Sequence, residues 1–142
     1  MAEGDITFYN EFFYRRGRGE LDLFADAFKV ALLGSGYTPD IDADALFSDL
    51  SSEIVATNYT AGGATLGTVT VTADDANDKA VVDAPDVVWT NLATATIAYA
   101  VLYKSTTTKY LVAYMEIATN SNGNNYSIIW NTAGILDIKQ GA

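Results

Sequence analysis

The runs Ala95-Thr-Ile-Ala-Tyr-Ala-Val-Leu-Tyr-Lys104, Lys109-Tyr-Leu-Val-Ala-Tyr-Met-Glu-Ile-Ala118 and Tyr126-Ser-Ile-Ile-Trp-Asn131, followed by Gly134-Ile-Leu-Asp-Ile138, decide the fold. Aromatic and β-branched residues dominate each run, and Ser, Thr, Asn and Gly separate them, which is the composition of strands joined by turns. The segment 94–138 therefore predicts an antiparallel meander with a short coda. Residues 105–108 close its first hairpin. Residues 120–125 close its second, with Asn122-Gly123 as the turn signal.

The period of this segment is two, but neither face is polar. Ile97, Tyr99, Val101 and Tyr103 oppose Ala98, Ala100 and Leu102, and Tyr110, Val112, Tyr114 and Glu116 oppose Leu111, Ala113, Met115 and Ile117. A sheet with one face in water would alternate apolar with charged residues. Both faces here need cover, and one is expected to get it from the chain's own core. For the other, two options stay open: a sandwich in which this is the central sheet, or a subunit interface, since a small domain struggles to cover both faces of one sheet.

The chain has 142 residues, enough for one domain with a real core. With 49% hydrophobic and 18% charged residues it falls outside the disordered class. The net charge of −10 opposes general binding to nucleic acid, because phosphate repulsion would go uncompensated over most of the surface. Cys and His are both absent, which removes thiolate sites, the commonest zinc ligand and every Ser-His or Cys-His pairing. No basic-then-apolar leader opens the sequence and no apolar run reaches membrane-spanning length, so neither a secretory signal nor a membrane partner is expected.

The expected architecture is mainly β: an antiparallel β-sandwich or barrel-like domain with a short N-terminal helical arm (residues 1–20), a β-rich body (21–142) and one short acidic helical segment. Residues 6–16 predict the helix, with Asp5 or Thr7 as its cap and Phe8, Phe12 and Phe13 near helical spacing, Tyr9 alongside. Gly17 and Gly19 end it. Arg15 and Arg16 fall in its last turn, with Arg18 just beyond. Cations there complement the helix dipole; three of the eight basic residues also gather there on an acidic protein, well placed to meet an acidic partner surface.

Residues 28–33 predict a buried strand, 21–24 a short strand or extended lead-in, and 40–52 an acidic helix with Leu46, Phe47 and Leu50 as its apolar stripe. Asp40, Asp42 and Asp44 suggest calcium, but Ala45 stands where the loop needs Gly and Ser51 where it needs Glu, so a solvated acidic face is the better reading. Further strands are expected over 53–57, 65–72, 79–83 and 87–90. Asp74, Asp75 and Asp78 lie in the loop at 73–78 and are read as solvated rather than metal-binding. No cofactor or metal site is expected. A hydrolase with two carboxylates is the one catalytic class left comfortably open, yet no pair is singled out, so the chain reads as a non-enzyme.

Several segments occur together in a familiar order: the aromatic N-terminal helix, Phe28-Lys-Val-Ala-Leu-Leu33, Tyr37-Thr-Pro-Asp-Ile-Asp42, Asn58-Tyr-Thr-Ala-Gly-Gly-Ala-Thr-Leu66, Tyr99-Ala-Val-Leu-Tyr-Lys104 and Ile128-Ile-Trp-Asn-Thr-Ala-Gly-Ile135. As a set they resemble a family of small structural proteins of tailed bacteriophages, of the capsid-decoration or cement type. The resemblance implies no catalysis. It implies copies, most often trimers, made in the host cytoplasm and bound on the capsid surface of the virion, where they bridge major capsid protein subunits and stabilise the shell against packaged DNA. Phe8, Tyr9, Phe12, Phe13, Arg15, Arg16 and Arg18 are then the expected partner contacts, and Tyr99, Tyr103, Tyr110 and Tyr114 the expected subunit interface. The alternatives are a tail tube, tip or connector component, and a carbohydrate-binding β-sandwich module using Trp89 and Trp130 as sugar platforms.

Overall fold

The computed structural model describes residues 2–3, 6–117, 119–131 and 133–139. In chain order the elements are β1 (Ala2–Glu3), β2 (Ile6–Phe8), α1 (Asn10–Gly17), β3 (Phe28–Leu33), β4 (Ala64–Thr65), β5 (Thr70–Asp74), β6 (Lys79–Asp83), β7 (Val87–Trp89), β8 (Tyr99–Lys104), β9 (Leu111–Glu116), β10 (Tyr126–Ile129) and β11 (Leu136–Lys139). Two 3-10 turns, Phe47–Asp49 and Asp75–Asn77, complete the list. The protein is mainly β and sandwich-like, as the sequence predicts.

The strands form a five-stranded sheet in the order β2-β9-β8-β3-β4 and two three-stranded sheets, β1-β10-β7 and β11-β6-β5. β8 and β9 make the expected hairpin. The third run does not continue the meander: β10 pairs antiparallel with β7 and parallel with β1, in a different sheet. That sheet supplies Val87, Trp89, Tyr126 and Ile128 to the main core, and the adjoining Trp130 lies against Val30, Ala100, Leu102, Ala113 and Met115 of the large sheet. This is the sandwich contact.

The second face of the large sheet is covered by the chain itself. Ala31, Leu33, Val101, Tyr103 and Leu111 are buried there beneath Tyr9 and Tyr37, with Phe47 and Leu50 packed against them. The covering segment is held by polar groups inside an apolar setting. Tyr37 donates to Asp44 Oδ2 at 2.6 Å, so the 2.8 Å contact between the Tyr9 and Tyr37 hydroxyls must have Tyr9 as donor. Asp49 Oδ2 accepts the N–H groups of Ala45 and Leu46, and these bonds hold its carboxyl below the usual range. Of the two options left by the apolar alternation, a covered central sheet is what forms. Tyr9, Tyr37, Phe47 and Leu50 lie where the other option would have placed a second subunit.

A bulge also alters the faces. Leu102 stands opposite Ala113, but Tyr103 stands opposite Leu111, so Val112 is the extra residue. Beyond a bulge the alternation is reset. Leu111 therefore shares Tyr114's face, where unbroken alternation would oppose them, and Val112 joins the main core.

Other expectations change at the N-terminus. Residues 6–8 are a strand, because β9 has an open edge that β2 fills, with Ile6 opposite Met115 and Phe8 opposite Ala113. Tertiary pairing overrides the aromatic spacing. The helix starts only at Asn10 and has no side-chain cap; Thr7 lies in β2, and Asp5 is outside the described residues. Residues 21–26 form turns closed by Asp22, which accepts from Phe24 and Ala25. The acidic segment is helical only over its 3-10 turn, and residues 53–57 contribute a single bridge, Glu53 to Leu33.

Candidate interaction surface

Helix α1 sorts the expected contact residues into two groups. Tyr9 and Phe12 are fully buried, and Phe8 stacks on Phe12 at 5.0 Å between ring centroids. Phe13 and Tyr14 are about half exposed, at 52% and 54%. A partner-contact role for Tyr9 and Phe12 is thus corrected: their rings belong to this chain's core, and only Phe13 of the aromatic set faces outward strongly.

The arginines divide in the same way. Arg15 forms ion pairs with Glu11 and with Glu20, the latter at 2.8 Å, and its guanidinium lies 4.5 Å over the Tyr110 ring. Glu11 is the larger cause, with Glu20, of a guanidinium held firmly protonated. Arg18 pairs with the other oxygen of Glu20, and its guanidinium sits 5.5 Å over Tyr14. Arg18 and Arg15 together hold the Glu20 carboxyl below its ordinary range. Arg16 is exposed and has no ion pair among the described residues. The basic cluster is therefore a fixed cross-brace around Glu20 plus one available cation. The neighbouring Lys104 closes the brace from the sheet, bonding the Glu20 carbonyl at 3.2 Å and pairing with Asp26 at 3.3 Å.

The four sheet tyrosines lie in intramolecular contacts. Tyr103 is 1% exposed; it faces Phe47 and donates to the Gly62 carbonyl. It offers nothing to a second subunit, which corrects its place in the expected interface. Tyr99 meets Tyr37 and Tyr114 edge-on, Tyr114 packs against Tyr9, and Tyr110 lies under Arg15; these three keep part of their surface exposed.

Neither tryptophan is a platform. Trp89 and Trp130 are each 5% exposed, Trp89 stacks with Tyr59, and Trp130 Nε1 donates to the Pro85 carbonyl at 3.0 Å. Sugar stacking on these rings, as the sequence suggested, would require the core to open. The aspartates are engaged locally. Asp40 Oδ1 accepts from the backbone of Asp42 and Ala43, Asp44 accepts from Tyr37 and Asp40, and Asp42 accepts from Asn10. Asp74 accepts from Asn77. Among the described residues no group of three acidic side chains is arranged to hold an ion.

No family model, curated protein or solved structure matches the chain.

Sequence reasoning passed over Tyr14 and Phe24. Phe24 is 67% exposed and sits on a turn, where hydrophobic periodicity gives no signal. With Arg16 it borders a groove of about 300 Å³ that runs past Leu21 and Leu23 to Val71 and Ile138. Arg16 belongs both to the exposed part of α1 and to the lining of this groove, where Asp22 is the one acidic side chain.

Proposed function

We propose that the protein is a structural component that works by docking on other subunits, as a capsid-decorating protein of a tailed-phage virion that bridges major capsid protein subunits. The observation that supports this reading is the exposed ridge Phe13, Tyr14, Arg16 and Arg18 on a chain of net charge −10. Aromatic and arginine side chains are enriched where protein surfaces meet, and an available guanidinium among aromatic rings suits a carboxylate-bearing partner. The Glu20 cross-brace gives the ridge a preset shape, which lowers the ordering cost of binding. The resemblance of its segments to the phage family supplies the choice of partner.

Phage particles from a host carrying this gene provide the test. Mass spectrometry of purified heads should find the chain in stoichiometric amount, and heads stripped of it should rebind added protein. The variant Arg16→Glu should lose rebinding by about an order of magnitude with its thermal midpoint unchanged, because that side chain is exposed and has no ion pair among the described residues. Arg15→Glu is a poor probe, since it places a third acid beside Glu11 and Glu20 and should lower the midpoint. Absence from particles, or presence only in tails, would overturn the head assignment.

A further inference from the structure

Strand β5 is the outer strand of the β11-β6-β5 sheet, and Thr70, Val71, Thr72 and Ala73 are all exposed. Its pairing with β6 runs without a bulge, from Thr70 opposite Asp83 to Asp74 opposite Lys79. Among the described residues no backbone group bonds its other edge. Natural sheets guard such an edge with proline, lysine, a bulge or a covering loop. Thr70-Val-Thr-Ala-Asp74 has no proline, lysine or bulge, its one charged residue is Asp74 at the end, and β-branched residues make up most of it.

The sheet is also two-sided. Directly opposite residues share a face, so Val71, Ala73, Ala80, Val82, Leu136 and Ile138 form one apolar face. Thr70, Thr72, Asp74, Lys79, Val81 and Asp83 lie on the other. The apolar face is sealed at Val82, 1% exposed, but open at Val71 and Ile138, 42% and 36% exposed. An edge with no backbone partner among the described residues and a partly open apolar face thus meet on one strand.

We propose that β5 pairs antiparallel with β5 of a second copy of this chain, about a two-fold axis through Thr72, making one sheet continuous through both copies. The strand selects this occupant by being complementary to itself. A two-fold axis normal to the sheet keeps apolar face beside apolar face, and the symmetric register that uses the whole strand is centred on Thr72. It sets Thr72 against Thr72 of the second copy, Val71 against Ala73, and Thr70 against Asp74. No carboxylate faces a carboxylate across the new ladder, and each Asp74 keeps Lys79 on its inner side. The Thr pair is a favourable cross-strand neighbour. The contact closes at two copies, where the phage resemblance implies three, and it holds whether or not the protein resides on a capsid.

The chain has no cysteine, so single-cysteine variants report the register cleanly. Opposed Cβ atoms in such a pair lie about 4.5–5.5 Å apart, close enough for a disulfide after small adjustment. Thr72→Cys should oxidise to a covalent dimer, whereas Ala73→Cys, displaced along the strand from its own copy, should stay largely monomeric. By light scattering the wild type should be dimeric and Thr72→Lys monomeric, with an unchanged circular dichroism spectrum. A wild type that stays monomeric up to millimolar concentration overturns the proposal, as does a trimer unaffected by Thr72→Lys. Equal oxidation of the two cysteine variants overturns it independently of how Thr72→Lys folds. A monomer whose binding to phage heads is lost in Thr72→Lys assigns the edge to a capsid segment, overturning self-pairing while leaving the decorating role in place.

Discussion

Gly63→Ala is expected to cost about 3–5 kcal/mol, the sum of an overpacking and a backbone-strain effect. A Cβ at this position would lie 1.9 Å from the Val30 carbonyl oxygen, 2.6 Å from its carbon and 2.8 Å from Ala31 Cα. These are backbone atoms of β3, an inner strand of the five-stranded sheet, so no side-chain rotation relieves the clash. The φ of +88° adds strain for any residue with a Cβ. Relief would require β4 to leave β3, which would also disturb the bonds that Gly62 makes to Glu53 and Tyr103. Domain stabilities are usually about 5–15 kcal/mol, so the variant should be marginally folded. Gly123→Ala separates the two causes: its φ is +91° but nothing lies within 4 Å, so only strain remains and the cost should be about 1 kcal/mol. Urea titration of both variants gives the comparison. Equal losses at the two positions would mean that β4 does not seat against β3 as described.

The same region shows what the sequence could and could not convey. β3, β8 and β9 were legible because each carries its signal locally: β-branched and aromatic residues with turn formers at the ends. Gly123 was legible as a turn residue and has a positive φ, but Asn122 does not, and the turn joins strands of two different sheets rather than closing the expected hairpin. Pairing was less legible because it is decided by residues far apart. Nothing within Ile6–Phe8 distinguishes a helix start from a strand; the open edge of β9, more than a hundred positions later, makes it a strand. Nothing within Tyr126–Ile129 says that it will leave the meander for β7. The bulge at Val112 has no local mark either, since every residue around it is apolar.

The candidate surface was partly legible for the same reason. Residue type located the aromatic and basic cluster, and α1 with its C-cap does present Phe13, Arg16 and Arg18 to solvent. Type could not separate Phe12 from its neighbour Phe13, because both suit a core and an interface alike. Helix phase separates them, and it was unavailable while the helix start was misplaced. The apolar alternation of β8 and β9 indicated correctly that both faces needed cover, but the cover was Tyr37, Phe47 and Leu50, in a segment whose acidic composition suggested solvent. Its aspartates are there to cap turns and to accept from tyrosines.

Those tyrosines lead to the second large effect: raising the pH past 10 is expected to unfold the protein in one cooperative step. An unfolded tyrosine ionises near pH 10. Burial pushes Tyr103 and Tyr126 up to about 12. Burial raises Tyr9 further; in Tyr37 and Tyr59 it is joined by hydrogen bonds donated to Asp44 and Glu53, which the phenolate would lose. The folded chain therefore keeps protons that the unfolded chain releases. Stability from these groups is fully present below pH 10 and falls as pH rises from there toward the folded values. Each group contributes up to about 1.4 kcal/mol per pH unit across that window. Acting together, the five would remove about 7 kcal/mol by pH 11, comparable with the whole stability of an ordinary domain. Circular dichroism and tyrosinate absorbance should accordingly change together for the buried set. Tyr103→Phe gives up the bond to Gly62, about 1 kcal/mol at neutral pH, yet should flatten the alkaline slope by removing one of the linked protons. Native circular dichroism persisting while tyrosinate absorbance climbed gradually to completion would mean that these hydroxyls reach water without unfolding, and that the covered second face of the sheet is open.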